Sequence, residues 1–133
     1  MEIENKVLGN YNETTFHYIH NHNDRFMINV TEIATHFKLN LSDFLENEVT
    51  KIWIQTLLKK DKAPLQYKVN GETFTSEIDY SFTFDDIVLI ENGSYYFCKQ
   101  LTYHLCQSLG MFYWWMDGLF FELMKKEPGK RFY

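Results

Sequence analysis

The chain has 133 residues, with 18 acidic and 13 basic side chains that give a formal net charge of −5. Domains of about 100 to 150 residues are the commonest, so we expect residues 1–133 to form a single domain with a sizeable core. The net negative charge argues against an indiscriminate nucleic-acid binder, because phosphate contacts supply most non-specific affinity. The first ten residues lack the continuous apolar run of a secretory signal, which predicts a cytoplasmic location.

The first elements in chain order are two strands. Residues 14–20 alternate apolar and polar side chains, and so do residues 25–30. Between them, Asn21-His-Asn-Asp24 has the composition of a turn. These residues therefore predict a β-hairpin.

Three short helices are predicted next. Asn29 stands three residues before Glu32, the spacing at which a cap side chain and a returning carboxylate satisfy the first amides of a helix, so a helix should begin near Val30. Its period is interrupted at residues 38–40, and a second helix follows, capped by Ser42 or Asn40.

The third helix is expected to begin at Thr50, which can act as its cap. Ile52, Trp53, Thr56 and Leu57 recur at helical spacing and should share one face. Lysines would lie on the other side.

Two further hairpins are predicted in the second half of the chain. Residues 65–69 and 72–75 flank Asn70-Gly71, the strongest two-residue hairpin signal. Residues 87–90 and 94–97 flank Glu91-Asn-Gly93, with Gly93 expected at positive φ.

The chain should close with two helices. Cys98, Leu101, Leu105 and Leu109 mark one face of the first, and Gly110 is a plausible cap at its end. Cys98 and Cys106 are interpreted as buried free thiols.

Residues 112–126 form the last predicted helix, and it is apolar on more than one side. The expected core stripe consists of Phe112, Trp115, Met116, Leu119 and Leu123. Four further apolar residues lie off that stripe: Tyr113, Trp114, Phe121 and Met124. Either neighbouring elements bury nearly all of the helix, or these four residues form a dimer or partner surface. The apolar run is too short for a membrane span, which needs about 20 residues.

Histidines cluster in the first hairpin, where His17, His20 and His22 precede Asp24. The spacing is similar to the His-x-His-x-Asp-His box of dinuclear metallohydrolases. However, Arg25 replaces the last histidine, and a cation there would repel a metal ion. We therefore predict no metal and no cofactor.

Other catalytic patterns are also missing from the sequence. It has no Gly-rich phosphate loop, no Gly-x-Ser-x-Gly elbow and no Cys-x-x-Cys pair. The acidic residues between positions 77 and 91 are interpreted as a solvated loop. We expect that the protein is not an enzyme.

Four segments occur in an informative order. Residues 28–34 read Ile-Asn-Val-Thr-Glu-Ile-Ala, and residues 42–45 read Ser-Asp-Phe-Leu. Residues 49–57 continue into a helix, and residues 92–97 read Asn-Gly-Ser-Tyr-Tyr-Phe. In this order, over roughly residues 15–125, the chain resembles the KilA-N domain, a family of phage and large DNA virus proteins similar to the fungal APSES DNA-binding domain.

The resemblance implies an α+β fold, in which small hairpins pack with about five helices and a helix-turn-helix-like unit lies near residues 30–60. It also implies binding of double-stranded DNA by a transcription regulator or antirepressor of phage or mobile-element origin, in the cytoplasm of a bacterial host cell. The contacts carried over from the family are His36, Lys38, Asn40, Ser42 and Lys51. Charge alone adds phosphate contacts from Lys59, Lys60 and Lys62.

A second interpretation remains open. Asp43, Glu46 and Glu48 lie in the predicted second and third helices, and carboxylates on a groove-facing surface are repelled by phosphate. The same fold could then serve as a protein-interaction module, such as a phage inhibitor of a host DNA-binding protein. It could also form a homodimer.

Overall fold

The computed structural model describes residues 3–59, 62–79 and 82–127, and only the backbone at 59, 62–67, 69 and 74–79. Within these residues the fold is mixed α+β, as predicted. The helices are α1 (Val30–Phe37), α2 (Leu41–Glu46), α3 (Glu48–Lys59), α4 (Lys99–Cys106) and α5 (Met111–Lys126). The strands are β1 (Lys6–Tyr11), β2 (Thr14–His20), β3 (Phe26–Asn29), β4 (Lys62–Val69), β5 (Glu72–Asp79), β6 (Val88–Glu91) and β7 (Ser94–Cys98).

Five strands form one antiparallel sheet in the order β1-β2-β3-β7-β6, while β4 and β5 form a separate hairpin. The predicted pairings of β2 with β3, β4 with β5 and β6 with β7 are confirmed. The turns of the β4–β5 and β6–β7 hairpins contain residues that adopt positive φ. Asn70 and Gly71 have φ of 52° and 82°, and Asn92 and Gly93 have φ of 51° and 77°. Such pairs of positive φ values produce the turn twist that suits a two-residue hairpin.

Strand β1 was not predicted from the sequence. It pairs with β2, and the register between them shifts between Val7 and Gly9, which indicates a bulge. Gly9 lies against α5 so closely that a Cβ atom there would approach Leu119 Cδ1 to 2.8 Å. This strand is therefore fixed by a helix more than a hundred residues later in the chain.

The main core lies between one face of the sheet and the helices. Helix α5 inserts Phe112, Met116 and Phe120, all fully buried. The Phe112 ring centroid lies 5.2 Å from that of Phe16 on β2, and the Phe120 centroid lies 5.1 Å from that of Phe26 on β3. Aromatic pairs at such distances contribute beyond their buried area. A smaller cluster of Ile19, Met27 and Tyr96 covers the opposite face of the sheet.

Two predicted helix boundaries are wrong. Helix α3 begins at Glu48, where the Asn47 side chain accepts a hydrogen bond from the Val49 amide at 2.9 Å, so Thr50 lies inside the helix. Gly110, at φ 55°, is the N-cap of α5 and does not cap the end of α4. Both errors come from a choice between neighbouring cap residues that the sequence leaves open.

The predicted inward face of α3 is also wrong, except at Leu57. Thr50 and Leu57 are buried and Ile54 packs against the core, while Ile52 and Trp53 are exposed. The spacing 50, 54, 57 is as helical as the predicted one. Only the position of the sheet decides between the two faces.

The two cysteines are buried free thiols, as predicted. Burial raises the pKa of the Cys98 thiol to about 11 and that of Cys106 to about 12. Both thiols are therefore protonated at neutral pH, which makes them poor nucleophiles.

A buried polar network joins the turn after β2 to a 3₁₀ turn at Phe84–Asp86. The Asp86 carboxylate accepts hydrogen bonds from Asn21 Nδ2 at 2.7 Å and Asn23 Nδ2 at 3.0 Å, and from the Thr83 amide at 3.0 Å. Burial raises the pKa of Asp86, but these hydrogen bonds and the charge of buried Arg25 outweigh burial and hold its pKa below the ordinary value of 3.8. The ionised carboxylate thus stabilises the fold.

Replacing Asp86 should reveal this stabilisation. We expect Asp86→Asn to lower the free energy of unfolding by about 2 to 4 kcal/mol at pH 7, because it removes the charged acceptor of the Asn21, Asn23 and Thr83 donors. The stabilisation is present above the unfolded pKa of about 3.8 and is lost as the pH falls through the lower folded pKa. Urea unfolding of both proteins at pH 7 and below pH 3.8 measures it.

Exposed Asp85 provides the control, because Asp85→Asn should change stability by no more than about 0.5 kcal/mol. A difference between wild type and Asp86→Asn that stays constant down to the lowest pH would show that the charge contributes nothing.

Candidate nucleic-acid interface

The segment Asn29–Glu32 fixes the direction of α1. Asn29 Oδ1 accepts a hydrogen bond from the Glu32 amide at 3.2 Å, which confirms the predicted cap. Thr31 Oγ1 accepts from the Tyr95 amide at 2.8 Å and ties the helix to β7. The Glu32 carboxylate does not return to the cap, because it binds the His17 amide and ring on β2 at 2.7 and 2.6 Å. The side chains of Asn29, Thr31 and Glu32 therefore all make hydrogen bonds that hold the fold together.

The turn between α1 and α2 is formed by residues 38–40. Lys38 has φ 56° and ψ 45°, and its amide and that of Leu39 both donate to the Ala34 carbonyl. Asn40 then caps α2, since its Oδ1 accepts from the Asp43 amide at 3.0 Å. The sequence left Ser42 and Asn40 open as caps, and the structure shows that Asn40 is the cap.

Two of the predicted DNA contacts, Lys38 and Asn40, lie in this turn, and a third, Ser42, follows in the first turn of α2. Lys38, Asn40 and Ser42 are all exposed. Lys38 and Asn40 line a shallow cleft of about 360 Å³ with Thr31, Thr35 and Leu39. The turn thus presents one cation, one amide and several hydroxyl groups on a single surface.

His36 occupies a different environment. Its Nδ1 lies 3.0 Å from Thr14 Oγ1, and its ring packs edge-on against Phe37 and Phe16, with centroid distances of 4.7 and 5.7 Å. It also lines a neighbouring cleft of about 430 Å³ beside Thr14, Thr15 and Glu32. These contacts assign His36 mainly to packing.

The remaining predicted contacts are spread along and beyond α3. Lys51 Nζ lies 3.5 Å from Glu46 Oε2, and both side chains are largely exposed, so the ion pair is weak. Lys59 ends α3 and Lys62 begins β4, where the structure describes only their backbone. Lys60 lies outside the described residues.

Carboxylates lie close to this turn in the chain. Asp43, Glu46 and Glu48 are exposed on α2 and at the start of α3, between Lys38 and Lys51 in the chain. In this part of the chain, the two exposed lysines are therefore outnumbered by three exposed carboxylates. Any attraction for phosphate is local to the turn and falls quickly with salt.

The proposed partner residues of α5 do not share one environment. Trp114 and Phe121 are 70% and 61% exposed, so neighbouring elements do not bury nearly all of the helix in the described structure. Tyr113 and Met124 are half-buried and pack against the core. The exposed apolar stripe therefore consists of Trp114 and Phe121, with Met111 at its start.

A cleft of about 300 Å³ between three helices was not predicted from the sequence. It is lined by Trp53, Gln100, Tyr103, His104, Gln107 and Tyr113. The Trp53 and His104 rings stack at a centroid distance of 5.4 Å, and burial lowers the pKa of His104. No local signal identifies this cleft, because its residues are separated by up to 60 positions.

Among the described residues, no group of three or more His, Cys, Asp or Glu side chains is arranged to hold a metal ion. The predicted histidine cluster is separated, since His17 binds Glu32 whereas His20 Nε2 lies 3.0 Å from Glu127 Oε2. No helix in the described ranges is long and apolar enough to cross a membrane.

Comparison with known proteins gives no assignment. No family model matches the chain, and no curated protein or solved structure is significantly similar to it.

The left-handed conformation of Lys38 can be tested through its effect on stability. We expect Lys38→Gly to raise the free energy of unfolding by about 0.5 to 1 kcal/mol, because glycine adopts positive φ without steric cost. Lys51→Gly, in the exposed part of α3, should instead lower it by about 1 kcal/mol. Thermal or urea unfolding of both variants measures the effect. A loss of stability in both would contradict the left-handed cap.

Proposed function

We propose that this protein is a DNA-binding module of the KilA-N type, a transcription regulator or antirepressor of phage or mobile-element origin. The observation that carries the proposal is the exposed turn between α1 and α2, where Lys38 and Asn40 protrude from two helices fixed on the sheet. The hairpin β4–β5 follows α3 directly in the chain. Helices joined by a tight turn and followed by a hairpin are a common frame for reading duplex DNA.

Each exposed side chain of the turn has a defined capacity. Lys38 can neutralise a phosphate, which positions the protein without reading sequence. Asn40 uses Oδ1 to cap α2, while its Nδ2 is a donor that can reach an acceptor on a base edge, such as a purine N7. Ser42 offers one more hydroxyl group. Because Asn40 Oδ1 already accepts one hydrogen bond, we expect base reading at this position to be weaker than a full bidentate contact.

The acidic neighbours set the expected strength of binding. Glu46 already engages Lys51, so that lysine must exchange a carboxylate for a phosphate. Asp43 and Glu48 add repulsion on the same surface. We therefore expect modest affinity that depends strongly on salt.

A charge-reversal experiment tests this function. Binding to duplex DNA is measured by fluorescence anisotropy between about 50 and 200 mM salt. Three or four phosphate contacts give a log–log slope of about −3 for wild type. The double variant Lys38→Glu and Lys51→Glu should reduce the magnitude of the slope by about 2 and weaken binding by at least tenfold.

The matched control is Lys125→Glu and Lys126→Glu, which makes the same charge change at exposed lysines in the last turn of α5. This variant should keep the wild-type slope within about 0.5. No binding by the wild type at low salt, or equal losses in both double variants, would reject the turn as a DNA interface.

The second candidate function is a protein-interaction module that binds a host protein through α5. It is favoured by one observation, the exposure of Trp114 and Phe121 on the same side of that helix. Large exposed aromatic residues are typical anchors of protein interfaces. Neither side chain is buried in the core, although Lys125 Nζ lies 4.8 Å from the Phe121 ring centroid.

Substitutions on α5 test whether these residues serve folding. We expect Trp114→Gln with Phe121→Gln to change the free energy of unfolding by less than about 1 kcal/mol, because both side chains are already exposed. Phe120→Ala, at the adjacent buried position, should cost about 3 to 5 kcal/mol. Urea unfolding compares the two. A large loss in the double variant would show that the stripe is part of the fold and would remove this argument for a partner.

A further inference from the structure

Strand β6 ends the five-stranded sheet, and no described strand pairs with its outer edge. The register shows which backbone groups point outward. The Cys98 amide donates to the Ile87 carbonyl at 3.0 Å, and Leu89 lies opposite Tyr96 two residues further along β6. Because hydrogen-bonded pairs alternate along an antiparallel ladder, Ile87, Leu89 and Glu91 bond to β7. The amides and carbonyls of Val88 and Ile90 therefore point away from the sheet.

The neighbouring strand supports the same register. The Tyr95 amide donates to Thr31 Oγ1 on the other side of β7, so Tyr95 does not exchange hydrogen bonds with Ile90 opposite to it. This is the alternation that places the backbone groups of Ile90 on the open edge.

An apolar groove of about 500 Å³ lies beside this edge. It is lined by residues of α2, α3 and β6 together with Phe84 and Tyr95. Phe84, Ile90 and Leu58 on its rim are 55%, 58% and 41% exposed. An open strand edge next to exposed apolar side chains is an attachment site for another strand.

The opposite edge of the sheet is different. Strand β1 carries a register shift between Val7 and Gly9. A bulge discourages pairing with another chain. The pairing of β6 with β7 shows no such shift.

We propose that β6 pairs with β6 of a second copy of this chain, antiparallel and centred on Leu89. In this register Val88 of one copy lies opposite Ile90 of the other, and each such pair exchanges two backbone hydrogen bonds. The four outward groups are the amides and carbonyls of Val88 and Ile90, and their positions are related by a two-fold axis through Leu89. The two sheets then join into one continuous sheet of ten strands.

Self-complementarity favours a second copy over an unrelated peptide. Val88 and Ile90 alternate with Leu89 along the strand, so both lie on one face of the sheet, where both also line the apolar groove. The two-fold axis places the rim of one groove beside the rim of the other. Glu91 comes opposite Ile87 of the second copy, so no like charges face each other along the pairing.

The exposed area sets the strength of the dimer. With about 150 Å² for a whole side chain, the lower end of the aromatic range, the three exposed rim residues leave roughly 200 Å² of apolar surface in each copy. Stable interfaces bury about 1,200 to 2,000 Å² in total, so this dimer is weak and reversible. We expect a dissociation constant on the order of 100 µM.

Engineered cysteines test the register directly. In the proposed dimer the two Leu89 Cα atoms form a non-hydrogen-bonded pair about 4.5 Å apart, within disulfide range, while the two Ile90 Cα atoms are about 8 Å apart and out of range. We therefore expect Leu89→Cys to form a disulfide-linked dimer under mild oxidation with diamide, and Ile90→Cys to form much less. Cys98 and Cys106 do not interfere, because they are buried and their raised pKa keeps them protonated.

Sedimentation velocity provides a second readout that needs no oxidant. Wild type should sediment increasingly as a dimer as its concentration rises to about 1 mM, and Ile90→Lys should remain monomeric because it places a charge on each side of the two-fold axis. Val7→Lys, at an exposed position of β1, is the matched control and should dimerise like wild type.

Two results would overturn the proposal: a wild type that is monomeric throughout, or cross-linking that is equal at positions 89 and 90. Failure of DNA binding has no effect on either measurement, so this inference stands or falls separately from the proposed function. If Leu89→Cys lowers stability, the Ile90→Lys comparison decides the question.

Discussion

The fold depends on the junction at which the central strand β3 becomes helix α1. All four residues of β3 are buried, and its last residue, Asn29, caps the helix with its side chain. Thr31 and Glu32 then fasten the first helical turn to β7 and to β2. A cap alone sets where a helix begins, but these two extra bonds set its direction across the sheet. The position of the turn at Lys38–Asn40 follows from that direction.

This arrangement leaves two kinds of surface. The turn between α1 and α2 presents polar side chains among nearby carboxylates, so contacts to DNA there would be few and sensitive to salt. Helix α5 and the edge of β6 present apolar side chains that are largely exposed to solvent. A protein with a weak polar interface gains from a second attachment, because two linked weak contacts bind more tightly than either one.

Local signals predicted much of the fold and part of the candidate site. The turns at Asn70-Gly71 and Asn92-Gly93 and the cap at Asn29 were recognised, because each depends on the backbone preference of a few adjacent residues. The prediction of Lys38, Asn40 and Ser42 as DNA contacts came from the family resemblance; Lys38 and Asn40 lie in one short turn, and Ser42 follows in α2. The sequence could not show that His36 packs against Phe16 and Thr14, because those partners lie on β2.

The sequence by itself determined where most of the strands, turns and helices occur, since steric limits on φ and ψ and the spacing of apolar residues act over a few positions. Only the tertiary structure decided which equally periodic face of α3 turned inward, and that β1 became a strand under α5. It also directed the Glu32 carboxylate to His17 and left β6 at an open edge. These choices depend on contacts between residues far apart in the chain, where packing geometry outweighs local preference.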